Sequence, residues 1–249
     1  MNRLFMILFY LLLSVSITQA RNIDELYLMS EDFPPYNYKE NGEIKGTSID
    51  LMDRILQKLH SKQNKNDIHI LPWARAYNYL LKRENTVLFA MTRTQNREKL
   101  FKWVGPISTA RNVLIARKAR QIKISSAEDI KKYTVGAVRN DAGAQLLISE
   151  AGIQEKTISL VSSAIQSIKM LNLDRIDLFA FDENVTVWLI KKNRLNPEDY
   201  ETVFILQEGF HYFAFHQNTP DLIIENFQKA LDEIKIQGDY DKILDRYLK

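Results

Sequence analysis

The chain of 249 residues contains no cysteine. This excludes a disulfide framework, a thiolate metal site and a lipid-modified cysteine anchor, so the fold must rest on core packing alone, which this length permits. Histidine is scarce as well. His60, His69, His211 and His216 show no metal-ligand spacing, so neither a metal site nor any other cofactor is expected. A Gly-rich phosphate loop and a G-x-S-x-G elbow are both missing, which removes two common routes to nucleotide binding and hydrolysis. Charge of one sign is missing too. Lys and Arg number 34 against 31 Asp and Glu, a net of +3, and the one basic run, Arg117 to Lys123, reads as a solvated edge. Nucleic acid is therefore not an expected partner. No repeat of short period and no low-complexity segment interrupts the chain.

Long apolar runs are lacking except at the start. Leu4 to Ile17 follows Arg3 and precedes Thr18-Gln19-Ala20, which places small residues where a signal peptidase reads. The run has the length of a signal h-region and is short for a membrane span. Residues 1–20 are expected to be a cleaved signal peptide, leaving 249 − 20 = 229 residues. With no second apolar run and no anchor, release into a Gram-negative periplasm is the expectation.

In the rest of the chain, strands alternate with helices. Leu26–Met29, His69–Leu71, Val87–Met91, Asn112–Ala116, Thr134–Val138, Thr157–Val161, Asp177–Phe181, Val203–Leu206 and His211–His216 read as strands. Helices are expected from Ser48 as cap, over Trp73–Lys82, from Asp141 to Ala151, from Ser162 or Ser163 to Leu173, from Thr219-Pro220 to Gly238, and over Asp239–Leu248. Ser125 with Glu128 reads as a capping box. The alternation predicts the α/β class with largely parallel sheets. In such sheets ligands gather beyond the carboxyl ends of strands. Phe33, Trp73, Thr92, Arg97, Asp141 and Asp182 all follow strand ends in this reading.

Two stretches stand out for chemistry. In Phe33-Pro34-Pro35-Tyr36, prolines stiffen a loop that carries aromatics after a strand. Each ring suits either a ligand wall or the edge of the core. In Ala90 to Pro106, an apolar strand carrying Met91 ends at Thr92, and Thr94 sits at a cap position, predicting a helix from Gln95 with Arg97 in its first turn. Backbone N–H groups, a hydroxyl and a guanidinium together suit a small carboxylate. Taken alone, the stretch is explained first by an Arg on a solvated helix face. Trp73, with Arg75 close by, falls at the same end of the sheet and suits a flat or cationic solute, or simply the core.

In order and spacing these motifs resemble the family 3 extracytoplasmic solute-binding proteins, the amino-acid receptors of ABC importers. The resemblance rests on Phe33-Pro34-Pro35-Tyr36, on Gly46 and Asp50 before a helix, on Met91-Thr92-Arg93-Thr94-Gln95-Asn96-Arg97, on Val135-Gly136-Ala137-Val138, and on Arg175-Ile176-Asp177 leading to Phe181-Asp182. It implies a two-lobe periplasmic binding protein fold of type II, with lobe 1 at residues 21–108 plus 216–249, lobe 2 at residues 112–212, and hinges near 109–113 and 211–215. It further implies a monomeric, non-catalytic receptor that closes on an amino acid or similar zwitterion. The partner would be an inner-membrane importer. By position Arg97 matches the carboxylate-binding Arg, Thr92 its assistant, Phe33 the aromatic that packs on the ligand, and Asp182 the group that holds the ammonium. Arg139-Asn140-Asp141-Ala142 departs from the family's Gly-Thr-Thr turn and sets a carboxylate where hydroxyls are usual. An enzyme related to the cyclohexadienyl dehydratases, or a sensor feeding a membrane kinase or chemoreceptor, are the alternatives on the same scaffold. His211 and His216 are expected to be ordinary strand residues.

Overall fold

Among the described residues there are ten strands and eight α-helices, arranged around the two longest of those strands. The computed structural model describes residues 23–248, and the expected signal peptide lies outside them. The strands are β1 Tyr27–Ser30, β2 Tyr38–Glu40, β3 Glu43–Lys45, β4 His69–Ile70, β5 Thr86–Thr92, β6 Phe101–Arg117, β7 Val135–Val138, β8 Ile158–Val161, β9 Leu178–Asp182 and β10 Tyr200–His216. The helices, in chain order, are α1 Thr47–Lys58, α2 Trp73–Lys82, α3 Ala127–Ile130, α4 Ala142–Ser149, α5 Ala164–Asn172, α6 Glu183–Lys192, α7 Asp221–Ile236 and α8 Asp239–Leu248.

Eight strands pair in the order β4-β1-β5-β10-β6-β9-β7-β8, and β2 and β3 form a separate hairpin. β1 runs parallel to β4 and β5, and β7 runs parallel to β8 and β9. Between these two parallel groups lie β6 and β10, 17 residues each, antiparallel to one another along their whole lengths. The first half of the molecule is therefore β1, β4 and β5 with α1, α2, α7 and α8, and the second is β7, β8 and β9 with α3 to α6. β5 takes up β10 at residues 211–215, and β9 takes up β6 at residues 112–115. Between those points, Thr109–Arg111 and Glu208–Phe210 are in register with each other and with no third strand, though Phe210 O accepts from Arg93 N at 3.3 Å and Arg111 N donates to Asp182 Oδ2 at 3.4 Å.

Several local expectations are corrected. Asn112–Ala116 is the carboxyl-terminal part of β6, and Val203–Leu206 and His211–His216 are parts of one strand. Continuous pairing with a partner strand carries polar residues such as Gln207 and Glu208, and register shifts absorb the irregularity. α1 is capped by Gly46, not Ser48. Its φ of 125° and the approach of Tyr36 O to within 2.3 Å of an added Cβ leave room only for glycine. The Ser48 hydroxyl instead bonds Asn37 Oδ1 at 2.8 Å, which ties the aromatic loop to the start of α1. The capping box before α3 pairs Ser126 with Asp129, one residue beyond the expected pair. Residues 95–100 are consecutive turns with no helix, and the buried Thr94 hydroxyl has no partner.

One apolar cluster fills the first half and continues along one face of the second, through Phe179, Phe181 and Ile190. A smaller cluster, with Leu114, Ile130, Leu147 and Leu178, lies on the other face of the second half. Burial of this kind is the main stabilising term in a chain without cross-links.

Candidate functional site

The carboxyl ends of the parallel strands from both halves face a common cleft. Arg97, carried by the turns after β5, is the largest fully buried side chain near it, at 1% exposure. Its guanidinium donates from Nη1 to Thr92 O at 3.2 Å, from Nε to Gln145 Oε1 at 2.9 Å and from Nη2 to Asn140 O at 3.1 Å. The first bond stays within the first half, and the other two cross to the second. The Trp73 and Tyr77 rings lie 5.4 and 5.2 Å from its Cζ, an arrangement that favours a buried cation. Burial pushes the Arg97 pKa down, while the Asp141 carboxylate, Tyr77 and Glu31 pull it back up.

Two helix starts aim carboxyls at the same place. Asp141 caps α4, accepting from Gly143 N at 3.1 Å, and Asp182 caps α6, accepting from Val185 N at 3.0 Å. Both are buried. Gly143 lets α4 pack directly on β9, since an added Cβ would stand 2.5 Å from Ala180 O. Burial raises the Asp141 pKa against the pull of Arg97. Burial also raises Asp182, to about 7, against hydrogen bonds from Val185 and Arg111 and with a push from Asp141. Helix N-termini normally favour the ionised carboxylate, so desolvation outweighs them here.

His211, expected to be an ordinary strand residue, is fully buried at this junction. In the register it lies between Thr92 of β5 and Ser108 of β6. Its Nδ1 is 2.9 Å from Ser108 Oγ, and its Nε2, with no hydrogen-bond partner, is 3.6 Å from Asp182 Oδ2. Phe33 and Tyr36 pack against the imidazole edge-on, with centroids 5.6 and 4.7 Å away. Burial lowers its pKa to about 3, so the ring is neutral.

Phe33 and Tyr36 stack on one another, and Phe33 also meets Phe181 of the second half. The Tyr36 hydroxyl accepts from Asn184 Nδ2 at 3.0 Å and donates to Thr109 O at 3.3 Å, another tie between the halves. Trp73 lines a cavity of about 430 Å³ together with Glu31, Asp32, Ser162, Ser163 and Phe181. Met91 is buried in the core beneath, paired with Tyr212. Arg75 is exposed on α2 and bonds to none of these groups. Thus Phe33, Tyr36, Trp73, Thr92, Arg97, Asp141 and Asp182 are drawn together, and Arg75 is not.

Sequence reasoning missed Glu31, Asn140, Gln145, Asn184 and His211. Gln145 stands four residues after the Asp141 cap, one helical turn on, so its place on that face was readable. Asn140 acts through its backbone carbonyl, which carries no side-chain signal. His211 interrupts an aromatic strand, Phe210 to His216, and only the register reveals its neighbours.

The comparisons with known proteins agree in kind. The family model for bacterial extracellular solute-binding proteins, family 3, matches residues 27–249. The arginine-binding extracellular protein ArtP of Bacillus subtilis is 25% identical over 222 residues, covering 86% of this chain and 82% of that protein. A probable histidine-binding protein of Campylobacter jejuni is 24% identical, covering 87% and 81%. A histidine kinase sensor domain with similarity to periplasmic binding proteins superposes with a TM-score of 0.78 at 17% identity, covering 90% of this chain and 96% of that one. An ancestral arginine-binding protein bound to arginine gives 0.73 at 24% identity, covering 92% and 100%. The fold is that of periplasmic binding proteins. With a family model spanning nearly all the described residues, the chain belongs to the bacterial extracellular solute-binding proteins, family 3.

Proposed function

We propose that this protein is a periplasmic receptor that captures an amino acid or similar small zwitterion between its two halves and hands it to an ABC importer without turning it over. The observation that carries this reading is that buried Arg97 from the first half faces buried Asp141 from the second, with buried Asp182 close enough to feel the Asp141 charge, beside Phe33, Tyr36 and Trp73. A cation and two carboxyls held in a desolvated cleft suit the two poles of a zwitterion, with Arg97 reading the carboxylate and Asp182 the ammonium. The amino-acid-binding relatives support it. The chain then acts as a monomer after loss of residues 1–20, with lobes near residues 21–108 plus 216–249 and 112–212. Closure would bend the two-stranded stretch at Thr109–Arg111 and Glu208–Phe210, where no third strand stiffens the pair.

Thermal unfolding of the exported protein against amino acids, their derivatives and related organic acids tests the reading. A solute that binds only the folded state raises the melting temperature by mass action. The expected result is a shift of several degrees with amino acids and recovery of the solute unchanged by mass spectrometry. Chemical conversion of the solute would instead support the dehydratase-like alternative. The sensor reading draws on the superposition with a histidine kinase sensor domain. A deletion strain that keeps uptake of the solute but loses a transcriptional response to it would favour the sensor over the importer.

A further inference from the structure

The cleft gathers more carboxyls than one guanidinium can serve. Arg97 faces Asp141 from the second half and Glu31, which follows β1 in the first. The Glu31 carboxylate has no hydrogen bond or ion pair among the described residues, and it lines the 430 Å³ cavity. Loss of water at this spot, then the nearby Asp141 and Asp32 charges, hold the Glu31 carboxyl well above its ordinary range, and Arg97 offsets them only in part. Asp32 is also pushed up by loss of water, but the Lys192 charge and a backbone hydrogen bond from Lys39 offset part of that. A carboxyl that its surroundings leave without a counter-charge, on the wall of a cavity, is a place where a ligand cation gains an ion pair.

A second group in the same cavity waits for a partner. Trp73 is 3% exposed, yet its indole Nε1 donates to nothing. A buried donor left unpaired is costly, and an acceptor atom of a solute would satisfy it. The wall thus asks for an acceptor near Trp73 and a positive charge near Glu31. Its volume suits a small molecule.

We propose that the solute carries net positive charge, an amino acid with a cationic side chain, and that Glu31 is the group that receives the side-chain cation. This rests on the amino-acid receptor reading and narrows it. A neutral zwitterion would leave Glu31 unanswered, whereas a basic amino acid brings two cations and one carboxylate to a cleft with several carboxyls and one Arg.

Titration calorimetry with matched pairs tests it: L-arginine against L-citrulline, and L-lysine against L-norleucine. In each pair the second member keeps the α-carboxylate and α-ammonium and loses only the side-chain charge. At least one cationic member should bind about tenfold or more tightly than its partner, and Glu31→Gln should remove that preference while leaving the neutral member's affinity unchanged. If Glu31→Gln fails to fold, the wild-type pairs alone decide. Neutral members that bind as tightly as the cationic ones overturn the assignment of Glu31 and leave the receptor reading standing. Absence of binding by every amino acid overturns both.

Discussion

The two halves of this molecule hold their site residues by different means. In the first half, Arg97 sits on consecutive turns without helix, and much of what fixes it comes from elsewhere: the rings of Trp73 and Tyr77, and the Gln145 side chain and Asn140 carbonyl of the other half. In the second half, Asp141 and Asp182 are fixed by the starts of their own helices. The cores differ in the same sense. The cluster of the first half is rich in large rings, with Phe89, Phe213, Phe215 and Phe227 fully buried. The second half's own cluster has no buried aromatic and includes Ala116, Ala137, Ala144, Ala151 and Ala180. Small residues let α4 approach β9 closely, which sets the cap at Asp141. One half therefore supplies surface and a cation that needs its partner, and the other supplies rigid, self-supported carboxyls.

The largest test of that contrast is Arg97→Ala. Because Arg97 is buried, bridges the halves and offsets Asp141 and Glu31, its loss should affect the fold as well as binding. The expected cost is about 3 kcal/mol or more, since removing one partner strands buried carboxyls. Urea denaturation would show a lower midpoint, and carboxylate solutes should no longer bind. An unmoved midpoint with binding abolished would mean that the bonds across the cleft contribute nothing to the folded state, and the contrast would fail. Asp182→Asn should behave differently: Asn caps a helix about as well as Asp, so stability at neutral pH should not fall while cationic ligands lose affinity.

The second test strikes the close packing of the other half. Gly143→Ala places a methyl 2.5 Å from Ala180 O, which is backbone and has little room to give. α4 must shift off β9, at a cost of about 1–3 kcal/mol by analogy with overpacked cores. The same shift carries Asp141 and Gln145 away from Arg97, so affinity should fall together with the denaturation midpoint. A stable variant with wild-type affinity would show that the self-supported carboxyls do not depend on this contact.

How much of this was legible in the sequence follows the same division. α4, starting at Asp141, was readable, because a capping side chain and its helix are neighbours in the chain. The α/β alternation was readable for the same reason. Thr94 looked like a cap as well, but the chain that follows it is held by Arg97 reaching across the cleft, and tertiary bonds replaced the helix. β10 was read as two strands because Gln207, Glu208 and Gly209 look like a break, and only pairing with β6 shows that they are not. His211 and Glu31 gave no local signal. Their meaning comes from strand register and from charges brought near by the fold, such as Asp141 beside Glu31 and Asp182 beside His211.

The smallest expected effect concerns pH, and it turns on Asp182 and His211, one from each side of the junction. Asp182 faces the backbone N–H groups of Arg111, Asn184 and Val185, the Asp141 charge, the Tyr36 phenol and the neutral ring of His211. Its pKa rises from 3.8 to about 7, so between those values the folded protein holds a proton that the unfolded chain releases, and stability falls as pH rises. His211 does the reverse. Its pKa drops from 6.5 to about 3, so the unfolded chain holds the extra proton and stability rises with pH across that range. From roughly pH 4 to 6.5 the two slopes, each up to about 1.4 kcal/mol per pH unit, oppose one another, and the wild type should be nearly flat. Asp182→Asn should uncover the rising limb and His211→Gln the falling one, both read by urea denaturation at several pH values. Binding should separate the groups further. A solute ammonium needs Asp182 ionised, so affinity should weaken by about tenfold per pH unit below about 7 and level off above it, with proton release seen in calorimetry across buffers. Affinity that stays constant from pH 5 to 8 in the wild type would remove Asp182 from contact with the ligand and leave it a helix cap alone.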